Sequence, residues 1–152
     1  MSTPFPLASV MQLAKDACDA AALHVAQTIK RVQQADQQLK MLLQYREEYQ
    51  TRFRDAVASG IDSHGWMNFH AFMDKLDTAI DGANKQAEAA REVARRAQTE
   101  WMEHQRKLKA YDVLATRHQR AEAVGEARRE QRATDEQAMT LLRMKPPTMR
   151  MR

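Results

Sequence analysis

Five histidines, a single cysteine and twenty carboxylates are the residues of this 152-residue sequence that could bind a metal ion or move a proton. Spacing decides whether they do. His24, His64, His70, His104 and His118 are scattered, and none has another histidine three or four positions away, the separation that sets two imidazoles on one face of a helix. Cys18 stands alone, so neither a thiolate pair nor an internal disulfide is available, and its place in an apolar stripe makes it a small buried hydrophobe. There is no glycine-rich phosphate loop and no nucleophile elbow. The sequence therefore predicts no catalytic residue, no metal, no cofactor and no small-molecule substrate.

Phosphate binding is the next chemistry to weigh, because the formal net charge is +4 and the sequence pI about 9.4. The excess is thin everywhere: seven basic against six acidic residues over 7–57, ten against eight over 67–120, and seven against five over 121–152. Runs such as Lys15-Asp16-Asp19 and Glu88-Arg91-Glu92-Arg95 mix the signs at helical spacing. That is a solvated helix surface, not a stripe that follows a phosphate backbone. Nucleic acid is not expected as a partner.

The elements that position these side chains follow from periodicity. Met73, Leu76, Ile80, Ala83, Ala87, Ala90, Ala94, Ala97, Trp101, His104, Leu108, Tyr111 and Ala115 recur at alternating steps of three and four. This is the seam of a coiled coil. An earlier segment carries the same repeat, with Met11, Cys18, Val25, Val32, Leu39, Arg46 and Phe53 at one set of positions (a) and Ala14, Ala21, Thr28, Ala35, Leu42, Tyr49 and Ala56 at the other (d). Arg46 can lie along the seam and carry its head to water. Folding the chain back sets the two seams face to face, antiparallel.

Side-chain size suggests a register. With the bend at Asp62 and Ser63, Val25 falls opposite Trp101, Val32 opposite Ala94, Leu39 opposite Ala87, Leu42 opposite Ala83 and Ala14 opposite Tyr111, so large residues mostly meet small ones. Composition agrees with a thin helical architecture: 6% aromatic against 29% charged residues, with a mean hydropathy of -0.70, cannot fill a broad core.

The expected fold is all-α, an antiparallel two-helix coiled-coil hairpin with an overhanging C-terminal helix. Residues 1–6, with Pro4 and Pro6, form an irregular start, and Pro146 and Pro147 mark the end; no proline lies between these pairs. A first helix is predicted over 7–57, a turn over 58–66 supplied by Gly60 and Gly65, a second helix over 67–143 capped by Ser63 or Asn68, and a flexible basic tail over 144–152. Antiparallel pairing exhausts the first helix near Thr116, and there the seam turns polar, to His118, Glu122, Gly125, Arg129 and Arg132. Residues 118–143 are thus expected to project without an internal partner. The N-terminus lacks the basic start and apolar block of a signal peptide, and no run approaches a membrane span, so a cytosolic protein is expected.

Beside the seam, at flanking positions that usually hold charges, stand Gln38, Tyr45, Phe72 and Ala79. With Leu42, Tyr49 and Leu76 they make a double apolar stripe wider than one partner helix covers. Either the rings fold over the seam and shield it, or they form an exposed patch near the bend that docks on a partner.

The run Gln37-Gln38-Leu39-Lys40-Met41-Leu42, then Tyr45 and Glu48-Tyr49, the Gly60-Ile61 turn, and the series Trp66, Asn68, Phe72, Leu76, Ala79 and Ile80 resemble the FliJ family of flagellar export proteins. The resemblance spans about residues 10 to 140. It implies a non-enzymatic stalk of the flagellar type III export apparatus. In that family, the end carrying the termini inserts into the hexameric export ATPase, promoting its assembly and activity. Near the turn, a patch touches the cytoplasmic part of the export gate protein FlhA, and the family also takes part in recycling export chaperones. Carried onto this chain, the gate-binding residues are Gln38, Leu42, Tyr45, Tyr49, Phe72, Leu76 and Ala79, with Ala83 where the family pattern has a histidine. Arg128, Arg129 and Arg132 are the candidates for contact with the ATPase ring, and the location implied is cytoplasmic, held peripherally at the inner membrane through the export apparatus. The equivalent stalk of a virulence secretion system, and a general export chaperone or adaptor that grips cargo, are the alternatives.

Overall fold

The structure, a computed structural model, describes residues 4–144. Two helices account for nearly all of them: α1, Ala8–Ser59, of 52 residues, and α2, Ser63–Met144, of 82. They run antiparallel as a coiled-coil hairpin. The nine buried residues among those described are Cys18, Thr28, Met73, Leu76, Ile80, Ala83, Ala87, Ala94 and Ala97, and every one is a seam position of the sequence repeat. Four of the nine are alanines, which let two backbones approach closely. Thr28, at 1% exposure, keeps its hydroxyl satisfied by donating to the Val25 carbonyl at 2.8 Å.

The bend is tighter than the sequence suggests. It occupies residues 60–62 instead of 58–66, because α2 starts at Ser63, four residues ahead of the expected 67. Asp62 is the reason. Its carboxylate accepts the Gly65 N–H at 2.7 Å while its carbonyl accepts the Trp66 N–H at 3.0 Å, the first bond of α2. That makes Asp62 the cap in place of Ser63 or Asn68, with its negative charge at the positive end of the helix dipole. On the other side Gly60 takes φ of 94° and donates to the Val57 carbonyl at 3.2 Å, closing α1. Gly65 has a different task from Gly60: a Cβ there would lie 2.8 Å from Cγ1 of Ile61, which folds over the first turn of α2. Asp62→Ala should therefore lower the unfolding free energy by about 1 kcal/mol in urea denaturation, and Asp62→Asn by clearly less. Equal losses for both would mean the cap is not what sets the start of α2.

Two compact units can be described, one formed by Asp16–Gln105 and the other by residues up to Lys15 with those from Arg106 onward. In the first, the pairing is three to four residues out of step with the expected register. Phe53 stacks on Phe69 with centroids 3.5 Å apart where the expected register sets Met73, and Arg46 pairs with Asp77 where that register sets Ile80. The cause is the short bend. Moving its centre from Asp62 and Ser63 back to Ile61 displaces each partner on α2 by about twice that step. The displaced register suits two antiparallel helices better, since a positions of α1 now meet d-type positions of α2, as Phe53 meets Phe69.

Arg46 carries its head to the seam edge, where Nε donates to the Asp77 carboxylate at 2.7 Å with both side chains partly exposed. An ion pair so placed contributes at most ~1 kcal/mol. Arg91 reaches Asp36 across the helices at 2.6 Å. On the α2 surface, hydrogen bonds from Arg95, aided by Arg96, hold the Glu92 carboxyl below the usual carboxylate range.

In the second unit the short segment before α1 lies against α2. Phe5 sits 5.6 Å from the His118 ring, Ala8 donates to the Phe5 carbonyl, and Pro4 and Phe5 line a crevice with Ala115, His118, Glu122 and Glu126. Packing of the hairpin therefore extends further along α2 than expected. The uncovered stretch begins after Glu126, not at His118: every residue from Ala127 to Met144 is exposed. The expected basic tail lies, but for Met144, outside the described residues. Among the described residues no helix is long and apolar enough to cross a membrane.

Candidate interaction surfaces

Six of the chain's nine aromatic residues gather beside the bend. α1 supplies Tyr45, Tyr49 and Phe53 at steps of four, and α2 supplies Trp66, Phe69 and Phe72 at steps of three, so each helix turns one ringed edge toward the other. Tyr49 stacks on Phe69 with centroids 5.2 Å apart and planes 7° from parallel, and meets Phe72 at 4.4 Å. Tyr45 closes the row edge-on to Phe72 at 6.1 Å, while Trp66 caps the other end over Phe53 at 5.2 Å and His70 at 4.8 Å. Each such ring pair adds about 0.5–1.5 kcal/mol beyond area burial. Beneath the rings lies the cluster of Met73, Leu76 and Ile80, against which Leu39, Leu42, Tyr49, Phe69 and Phe72 pack.

The rings of the double stripe differ in exposure. Tyr49, Phe53, Phe69 and Phe72 are half-buried over the seam, whereas Tyr45 and Trp66 stay 44% and 47% exposed. Of the seven residues the sequence singled out, Gln38, Tyr45 and Ala79 are exposed, Leu42, Tyr49 and Phe72 half-buried, and Leu76 buried at 6%. Leu76 thus acts from below, by holding Phe72 and Tyr49 in place. Ala83 is buried in the seam as well.

Phe69 carries no assignment from the sequence, His70 counts there only as a scattered histidine, and Phe53 and Trp66 stand as separate features. The signal was present: Trp66 and Phe69 stand one heptad before Met73 and Leu76, so the seam repeat, continued toward the bend, reaches both. A shallow strip beside the rings is lined by Lys30, Gln34, Gln38, Met41, Tyr45 and Glu48, all of α1. Lined by one helix, it is an open surface and not an enclosed chamber.

The far end of α2 is the second surface. Arg128, Arg129 and Arg132 are all exposed, with Arg129 Nε donating to the Gly125 carbonyl at 3.3 Å. Exposed apolar residues stand among them and beyond, Leu141, Leu142 and Met144 at 69, 71 and 74%. Lys145, Arg150 and Arg152 of the expected basic tail lie outside the described residues. Among the described residues no three His, Cys, Asp or Glu side chains gather as a metal-binding group.

Two long antiparallel helices joined by a short bend, with small and apolar residues buried in the seam between them, define a coiled-coil hairpin protein. Comparison with known proteins gives the family: the model of the Flagellar FliJ protein matches residues 3–146, and the chain belongs to that family, whose members are non-enzymatic stalk components of the flagellar type III export apparatus. It is 31% identical over 140 residues to the Flagellar FliJ proteins of Escherichia coli (strain K12) and Salmonella typhi, covering 92% of this chain and 95% of each relative. A solved structure from Chlamydia trachomatis, CT670, described as a YscO homologue, shares the fold with a TM-score of 0.65 at 19% identity, over 93% of this chain and 96% of that one.

Proposed function

We propose that this stalk engages a hexameric export ATPase through the terminal part of α2 and the cytoplasmic part of the export gate protein FlhA through the ringed surface at the bend. In this way it promotes ATPase assembly and activity and couples hydrolysis to the gate. The observation that carries the reading is the exposure of every residue from Ala127 to Met144 in a stretch that is nonetheless helical. A helix without a packing face is marginal in water, so an external surface must hold it in the working assembly. Arg128, Arg129 and Arg132 supply the polar contacts on that side. At the other surface Tyr45, Phe72 and Ala79, with Gln38, Leu42 and Tyr49 beside them, offer rings and small side chains to the gate, and Leu76 supports them from the core. The protein works in the cytoplasm, held peripherally at the inner membrane through these partners, and takes part in recycling export chaperones.

The test is hydrolysis by the purified flagellar export ATPase with and without the full chain. Stimulation together with increased ring assembly is expected; an unchanged rate and unchanged assembly would count against the stalk reading. Phe72→Ala separates a stalk from a cargo adaptor: the stalk reading expects gate binding to fall while ATPase stimulation persists, and loss of cargo binding alone would favour the adaptor.

A further inference from the structure

The bare end of α2 carries a second row of uncharged side chains, distinct from the seam and apolar at both its ends. Val124, Ala127, Gln131, Thr134, Ala138 and Leu141 recur at steps of three and four, and all are exposed. Continuing the seam itself gives instead Gly125, Arg129 and Arg132. Within the row the Thr134 hydroxyl already donates to the Glu130 carbonyl at 2.9 Å, so its methyl can enter an interface without stranding a donor. The row is half of a coiled coil.

Its complement is the same row read backwards. Set antiparallel to a second copy, about a two-fold axis between Arg132 and Ala133, Val124 meets Leu141, Ala127 meets Ala138, and Gln131 meets Thr134, each layer occurring twice. The flanks agree: Arg128 falls beside Asp135 of the second copy, Ala121 beside Leu142, Ala123 beside Met144 and Glu130 beside Gln137. No like charges meet. A parallel pair would instead bring Glu130 against Asp135 on both sides, and an antiparallel slip of one heptad would set Leu141 against Gln131 or Arg117 in place of Val124.

We propose that the end of α2, from Ala121 to Met144, is a self-association surface on which two copies of this chain dock antiparallel, with reciprocal Arg128–Asp135 pairs fixing the orientation. This goes beyond the stalk reading and needs no ATPase. Because the dimer ties up Arg128 and lays a second helix along the stretch that would enter the ring, the two engagements exclude one another, and the dimer is a reserve form that keeps Leu141 and Leu142 from water until the ring is available.

Sedimentation equilibrium of the full chain at rising concentration tests it, with circular dichroism confirming helicity. The mean mass should rise from 17.5 kDa toward twice that in the micromolar range. Arg128→Asp alone and Asp135→Arg alone should each stay monomeric, since each sets like charges together, while an equimolar mixture of the two should dimerise because both pairs are restored between unlike chains. In a Cys18→Ser background, a chain with Ala127→Cys should form a disulfide with a chain carrying Ala138→Cys, and neither should cross-link with itself. A monomer at every concentration, charge variants that dimerise like the parent, or self-cross-linking through position 127 would each overturn the proposal. None of these readouts involves hydrolysis, so failure here and failure of ATPase stimulation are separately legible.

Discussion

Replacing Leu76 with alanine should lower the free energy of unfolding by about 2–3 kcal/mol, the low end of the range for a buried leucine. The side chain is 6% exposed and packed with Met73 and Ile80 under the rings, with Leu39 and Leu42 closing the cluster from α1. A core only two helices thick lets water and neighbouring rings settle into the gap, which is why the upper end of the range is not reached. Urea denaturation followed by circular dichroism measures the loss. Phe72→Ala, at a half-buried ring, should cost less stability and more gate binding. The contrast matters because Leu76 and Phe72 stand one helical turn apart and read alike in the sequence. Should Leu76→Ala leave the denaturation midpoint in place and remove only gate binding, Leu76 would belong to the displayed surface and the support role given to it here would be wrong.

Cutting the chain after Glu126 should abolish ATPase stimulation and self-association while leaving the midpoint of unfolding almost unmoved. Stability resides in buried apolar area, and the nine buried residues all precede that point, from Cys18 to Ala97. What the cut removes is exposed from Ala127 to Met144, so the lost helix adds very little to the stability of the hairpin. The cut falls beyond the crevice where Phe5 rests on His118, which should remain closed. Two measurements decide the matter: a melting curve of the shortened chain against the full one, and hydrolysis rates with each. A shortened chain that still stimulates the ATPase would move the ring contact to the paired part of the hairpin.

The seam was legible because small and apolar residues at steps of three and four leave few other places to be buried; Ala83, Ala87, Ala94 and Ala97 could be assigned from spacing alone. The register was not, for it depends on where one residue caps a helix. Ser63, Asn68 and Asp62 are all competent caps by type, and only geometry shows that Asp62 reaches the Gly65 N–H. From that one choice came the displaced partners of Phe53 and Arg46. The ringed surface was half legible: Tyr45 and Phe72 are conspicuous at flanking positions, whereas Phe69 joins the seam only when the repeat is continued one heptad from Leu76 toward the bend. Phe5 against His118 had no signal of this kind, since an irregular segment carries no period that could announce its partner.

The strip beside the rings is open and lined by α1 alone, from Lys30 to Glu48. A compound meant to silence this protein would find no hole there to plug, and drug-sized ligands draw most of their affinity from enclosure on several sides. An antagonist aimed at that strip would have to be a stapled peptide or a small folded binder that lays a long, ridged edge over Met41 and Tyr45.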